Sequence, residues 1–255
     1  MSKKLSIGIL LIFFVLTGCL FAQDESLEEM EKIEGDGYRE NIPVKIVQKL
    51  NIPSGYHEGL FFDGKNIWIN NGEKKNTWVV DVGSGEVISE ISPVATFTEG
   101  ITVSTGGKYW VTDWDTKKIY KVKIDGNKMV SLAEFSFDPA RPTGVVWDGQ
   151  RLFVTTWTRG LGTAYHLLEM DEEGNIFKQI KLKGIHEPSQ LAWDGKNLWI
   201  SSWYSARVYR IDTTTMKVIG HFQSPVTDTT GIVWDGRYMW LTGTHSDLYQ
   251  MEIEE

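Results

Sequence analysis

The chain has 255 residues, 41% of them hydrophobic and 24% charged, which supports a sizeable packed core and argues against general disorder. A formal charge of −8 and a single cysteine exclude a nucleic-acid binder steered by bulk charge and a small domain stapled by disulfides. Eleven tryptophans, well above the usual share, mark a folded, aromatic-rich body.

Lys3 and Lys4 precede an apolar run, Ile7 to Leu16, that is too short to span a bilayer. Leu16-Thr17-Gly18-Cys19 follows and resembles a bacterial lipobox. The resemblance implies that residues 1–18 are a signal peptide and that Cys19 becomes a lipid anchor. The protein would then sit outside the cytoplasm on a bacterial membrane, touching it only through the lipid. Cleavage after Ala22 is the alternative and would give a secreted or periplasmic soluble form. With Cys19 as anchor the remaining chain has no thiol, so cysteine nucleophiles and cysteine-based zinc sites are not expected. Residues 19–42 read as an acidic tether, because Asp24 to Glu40 carries eight acids against Lys32 and Arg39.

From residue 43 onward one pattern repeats. An aromatic residue followed by Asp-Gly occurs at Phe62-Asp63-Gly64, Trp147-Asp148-Gly149, Trp193-Asp194-Gly195 and Trp234-Asp235-Gly236, and Ser104-Thr105-Gly106-Gly107 has the same frame. A second apolar run follows each, with its aromatic at Trp68, Trp110, Phe153, Trp199 and Trp240, recurring about every 43 residues. Asp-Gly tolerates the positive backbone angles of a tight hairpin, so each period reads as four short strands, one propeller blade. The expected blades are 56–92, 97–136, 141–183, 187–224 and 228–255. The fifth lacks its outermost strand, and the unassigned run Val44 to Leu50 precedes the first. The predicted fold is therefore an all-β, five-bladed propeller whose ring closes when strand 44–50 completes the last blade.

Circular symmetry brings two rows of residues to one mouth. The first, at the start of each innermost strand, is Glu58-Gly59, Glu99-Gly100, Thr143-Gly144, Ser189-Gln190 and Thr230-Gly231; the second is Gly72, Trp114, Trp157, Trp203 and Thr244. Two carboxylates and three indoles at one rim suit a small amine-bearing ligand or a peptide N-terminus, since indole faces attract cations and a carboxylate holds or deprotonates an amine. Glu58 and Glu99, on adjacent blades, would perturb each other's ionisation. Packing between blades is the competing role for the tryptophans.

Phe97-Thr98-Glu99-Gly100-Ile101, then Tyr109 to Trp114 and Lys118-Ile119-Tyr120-Lys121-Val122, resemble a blade of the glutamine cyclotransferase family of plants and bacteria. Ser189 to Trp203 with Arg207-Val208-Tyr209-Arg210-Ile211-Asp212, and Gly231 to Gly243, resemble two further blades. The resemblance covers residues 50–253 and implies a five-bladed enzyme that cyclises an N-terminal glutamine to pyroglutamate with release of ammonia. It implies Glu99 as the catalytic acid and base, with Phe97, Trp114 and Trp203 as pocket walls. Four positions depart from the family pattern: Glu58 replaces a glutamine, Thr143 a tryptophan, Ser189 an asparagine and Thr244 a lysine. Cyclisation needs donors for a developing oxyanion, and Trp157 and Ser189 are the candidates to replace those lost.

Two other readings compete. One is a catalytically silent propeller binding an amine-bearing ligand in the same mouth. The other is a metal-dependent lactonase with Glu58 or Glu99 as oxygen ligands, which resembles a family with six blades rather than five. No metal or cofactor is expected, with a calcium-type cation in the central channel left open. No nucleic-acid partner is expected, and the state expected is a monomer. His57 and His186 lie near the mouth in sequence, Arg141 stands at the entrance of the third blade, and Thr244-His245-Ser246-Asp247 contains triad-like residue types without triad-like spacing.

Overall fold

The computed structural model describes residues 32–35, 41–160 and 162–254. Cys19 and the expected signal peptide, residues 1–18, lie outside them.

Five antiparallel sheets form the body, joined in sequence order. Blade one contains β3 (His57–Phe62), β4 (Asn66–Asn71), β5 (Asn76–Asp81) and β6 (Val87–Ile91). Blade two contains β7 (Thr98–Ser104), β8 (Lys108–Asp113), β9 (Lys118–Asp125) and β10 (Lys128–Ser136). Blade three contains β11 (Arg141–Trp147), β12 (Leu152–Thr158), β13 (Ala164–Met170) and β14 (Ile176–Lys183). Blade four contains β15 (Pro188–Trp193), β16 (Asn197–Ser202), β17 (Arg207–Asp212) and β18 (Lys217–Gln223). Blade five has β19 (Thr229–Trp234), β20 (Met239–Gly243) and β21 (Leu248–Ile253), and its outer strand is β2 (Val44–Leu50), paired antiparallel from Val44 opposite Ile253 to Leu50 opposite Leu248. Inner strand β19 packs against β3, so the ring is closed as the sequence predicts.

The Asp-Gly turns do more than reverse the chain. In three blades the turn aspartate accepts a hydrogen bond from the indole of the following strand: Trp68 to Asp63 at 2.9 Å, Trp199 to Asp194 at 2.8 Å and Trp240 to Asp235 at 2.7 Å. Ser104 takes this part for Trp110 at 3.0 Å. Phe153 has no N–H to offer, and there Asp148 pairs with Arg151 at 3.1 Å instead. A buried tryptophan needs a partner for its single donor, so turn and core are specified together.

The inner strands approach so closely that side chains are excluded between them. A Cβ placed on Gly59, Gly100, Gly144 or Gly231 would lie less than 3.0 Å from a backbone oxygen of the next blade. Gly144→Ala should therefore destabilise the ring by about 1–3 kcal/mol, measurable as a lower melting temperature. Gln190 occupies the equivalent place in blade four. Its amide spans the axis, donating to Leu60 O at 3.3 Å and accepting from Val145 N at 3.4 Å. The channel is thereby obstructed along its axis.

One expectation needs correction. The sequence predicts an acidic tether over residues 19–42, yet within it β1 (Lys32–Glu34) is a strand pairing parallel to β14 on the outer edge of blade three. Ile33 is fully buried in the cluster between blades three and four, Glu34 pairs with Lys183 at 3.1 Å, and Gly35 N donates to Lys183 O at 2.7 Å. Ile42, also buried, sits over Gly220 on blade four. Two isolated isoleucines in a charged stretch supply enough apolar surface to hold the chain against the blades.

Candidate active site

All five first-row residues line one cavity of about 370 Å³ at the mouth: Glu58, Glu99, Thr143, Ser189 and Thr230. A register shift at the start of every innermost strand puts them there, between His57 and Leu60, Thr98 and Ile101, Pro142 and Val145, Pro188 and Leu191, and Thr229 and Gly231. Such a bulge re-aims side chains that regular pleating would send into the blade interfaces. Trp114, Trp157 and Trp203 from the second row line the same cavity, with Phe97. Gly72 and Thr244 do not. Gly72 instead leaves room for the Phe97 ring, which would clash with any Cβ there, and Thr244 hydrogen-bonds the phenol of Tyr56.

Glu99 is fixed by its backbone. Asn70 Nδ2 donates to Glu99 O at 2.9 Å, and Gly100 N donates to Thr112 Oγ1 at 2.6 Å. Asp113, fully buried at the end of β8, accepts from Thr96 N, Phe97 N and Asp115 N at 2.8, 3.2 and 3.0 Å. That aspartate ties the turn carrying Phe97 to the turn following Trp114.

Glu58 is only 4% exposed, and its carboxyl hydrogen-bonds that of Glu99. Burial, the nearby Glu99 charge and that hydrogen bond all push the Glu58 carboxyl well above its ordinary range. Glu99 is pushed up to about 8, chiefly by burial and further by Asp113 and Asp115, while the bond from Glu58 acts in the opposite direction. The signs are those of a carboxylic acid at Glu58 donating to a carboxylate at Glu99. Tyr56 lies beside the pair, its phenol held neutral by burial and by the charges of Glu58, Glu99 and Asp228.

The indoles are arranged differently from the expectation that their faces await a ligand cation. The Arg159 guanidinium lies 4.9 Å from the Trp114 ring and 5.3 Å from Trp157, and Arg141 lies 5.0 Å from Trp114. Arg141 also donates to Trp114 O at 2.6 Å rather than pairing with an acid. Trp203, 41% exposed, carries no such cation among the described residues.

The two candidate replacement donors are already engaged. Ser189 Oγ donates to Thr230 O at 2.9 Å, and Trp157 Nε1 donates to Pro188 O at 2.6 Å. They latch one blade to the next, as Thr143 Oγ1 does to Pro188 O and Thr230 Oγ1 to His57 O. His57 is buried between Ser246 O and Pro53 O, and His186 contacts Tyr165 and Tyr204; neither lines the cavity. In the triad-like run, His245 bonds Gly55 O and Asp247 pairs with Lys49, so no relay forms. Among the described residues no three or more His, Cys, Asp or Glu side chains converge as a metal site requires.

Tyr56, Arg159, Asp115 and Glu187 also line the cavity, and the sequence reading missed them. Tyr56 stands two residues before Glu58 and Arg159 two residues after Trp157, so proximity in sequence to a row residue was the available signal.

The structure thus defines a five-bladed propeller with a buried, hydrogen-bonded carboxyl pair in a cup at one mouth. The chain belongs to the glutamine cyclotransferase family, whose model matches residues 15–238. Among solved structures it is similar to the glutaminyl cyclase of Myxococcus xanthus, at 14% identity and a TM-score of 0.67, over 86% of this chain and 100% of that one. It also resembles the PQQ-bound aldose sugar dehydrogenase of Streptomyces coelicolor (14%, TM-score 0.57, 85% and 99% covered) and the virginiamycin B lyase of Staphylococcus aureus (13%, TM-score 0.52, 83% and 100% covered). At these identities the likeness is one of fold. No curated protein matches the chain in sequence.

Proposed function

We propose that this protein cyclises the N-terminal glutamine of peptides to pyroglutamate, with Glu99 moving the proton. The observation that carries the reading is the hydrogen-bonded Glu58–Glu99 pair inside the cup. The substrate amine attacks its own side-chain amide carbon, and a new carbon–nitrogen bond closes the ring. Glu99, as carboxylate, takes the proton that the amine releases and delivers it to the departing nitrogen, whose bond to carbon breaks as ammonia leaves. Glu58 keeps its own proton and donates to Glu99, which holds the working carboxylate in place. The Tyr56 phenol is the neutral donor beside the pair and serves the developing oxyanion. Phe97 and Trp203 wall the cup and keep the folded-back glutamine in a reactive shape. The cup, about 370 Å³ and within the roughly 300–1,000 Å³ typical of small-ligand sites, has room for a peptide end. Cys19, as lipid anchor, would place this chemistry outside the cytoplasm.

The engagement of Ser189 and Trp157 as structural donors favours a second reading, in which the cup binds an amine-bearing ligand without turnover. Incubation with glutaminyl dipeptides followed by chromatography separates the two. Pyroglutamyl product with matching ammonia is the expected result; tryptophan fluorescence changes on titration without product would establish the second reading.

A further inference from the structure

We infer that Arg159 makes the rim of the cup a carboxylate seat, so that the protein selects glutaminyl peptides bearing an acidic group next to the glutamine. This rests on the cyclisation proposed above. Arg159 follows β12, lines the cup from its exposed rim and lies across two indoles, Trp114 and Trp157. These two ring contacts reduce the rotamer freedom that an arginine otherwise loses on binding. Its guanidinium makes no hydrogen bond or ion pair with any described residue, although Asp115 and Glu187 line the same cup. The contrast with the other arginines around blade three is direct. Arg141 spends a donor on Trp114 O, and Arg151 is paired with Asp148 and Glu169.

A pre-oriented guanidinium with free N–H groups in a binding cup is suited to a carboxylate, which accepts two of them side by side. The reacting glutamine must reach Glu99, so the rest of the peptide leaves past the rim where Arg159 stands. Asp115 and Glu187, also on the walls, repel anions that do not meet the fork. The class of ligand selected is thus a glutaminyl peptide whose second residue is acidic.

The test compares glutaminyl-glutamate amide with its neutral isostere, glutaminyl-glutamine amide. In the wild-type protein kcat/KM should favour the acidic peptide by about tenfold. Arg159→Met should bring the ratio toward one, and Arg159→Lys should keep part of it. A parallel fluorescence titration with the corresponding pyroglutamyl amides reads the seat without turnover. Equal kcat/KM for the two peptides would overturn the seat while leaving the reaction standing. Absence of turnover with every glutaminyl peptide would remove the reaction, and the titration then decides. Tighter binding of the acidic compound, lost in Arg159→Met, sustains the seat, and equal binding overturns it.

Discussion

Glu99→Gln is expected to lower pyroglutamate formation by about 100-fold or more, and at the same time to raise the melting temperature at neutral and alkaline pH. The two effects share one cause. Burial lifts the Glu99 carboxyl from its ordinary 4.5 to about 8. For an acid raised on folding, the native state binds the proton more tightly than the unfolded chain. Its contribution is whole below pH 4.5 and is lost as pH rises through 8. A glutamine carries no charge to bury, so the variant recovers on the order of 2–4 kcal/mol, several degrees of melting temperature. Assay and calorimetry on the same preparation check both. An unchanged rate would remove Glu99 from the mechanism. A slower enzyme that also melts earlier would make Glu99 a packing residue.

At Glu58 the outcome depends on whether the replacement can still donate a hydrogen bond. If Glu58 stays protonated while Glu99 works, Glu58→Gln substitutes one neutral donor for another and should retain most of the rate near pH 8. It should also abolish the decline expected at higher pH, when Glu58 loses its own proton. Glu58→Leu withdraws the bond that counteracts the upward push on Glu99. The rising limb of its pH–rate profile should move up by about one to two pH units, with a rate about tenfold or more lower at pH 7. Profiles for the three proteins decide the matter, with midpoints read as properties of the pair. Equal loss in both variants would show that the Glu58 carboxylate itself is required.

The architecture was readable because its marks repeat. Asp-Gly turns at Asp63, Asp148, Asp194 and Asp235 set the blade period, and the orphan run Val44 to Leu50 matched the strand missing from the last blade. The acid pair and the three indoles were readable for the same reason, since symmetry carries equivalent positions to one rim. Three features were not. Whether Ser189 and Trp157 have donors to spare depends on Thr230 and Pro188, acceptors that no local pattern reveals. Arg159 stands where the other blades have Lys74, Thr116, Ser205 and Ser246, and its place over two rings depends on the path of the β12–β13 loop. β1 is three residues long and embedded among acids, and its pairing with β14 and the burial of Ile33 depend on an edge of blade three that no local pattern reveals.

The pairing of Val44 with Ile253 joins positions on the order of 200 residues apart. Contacts so remote in sequence are slow to find, and the first four blades are complete in the chain well before the last can be. Until that final pairing forms, blade five has an unguarded edge open to a strand from another molecule, and refolding yield should fall as protein concentration rises.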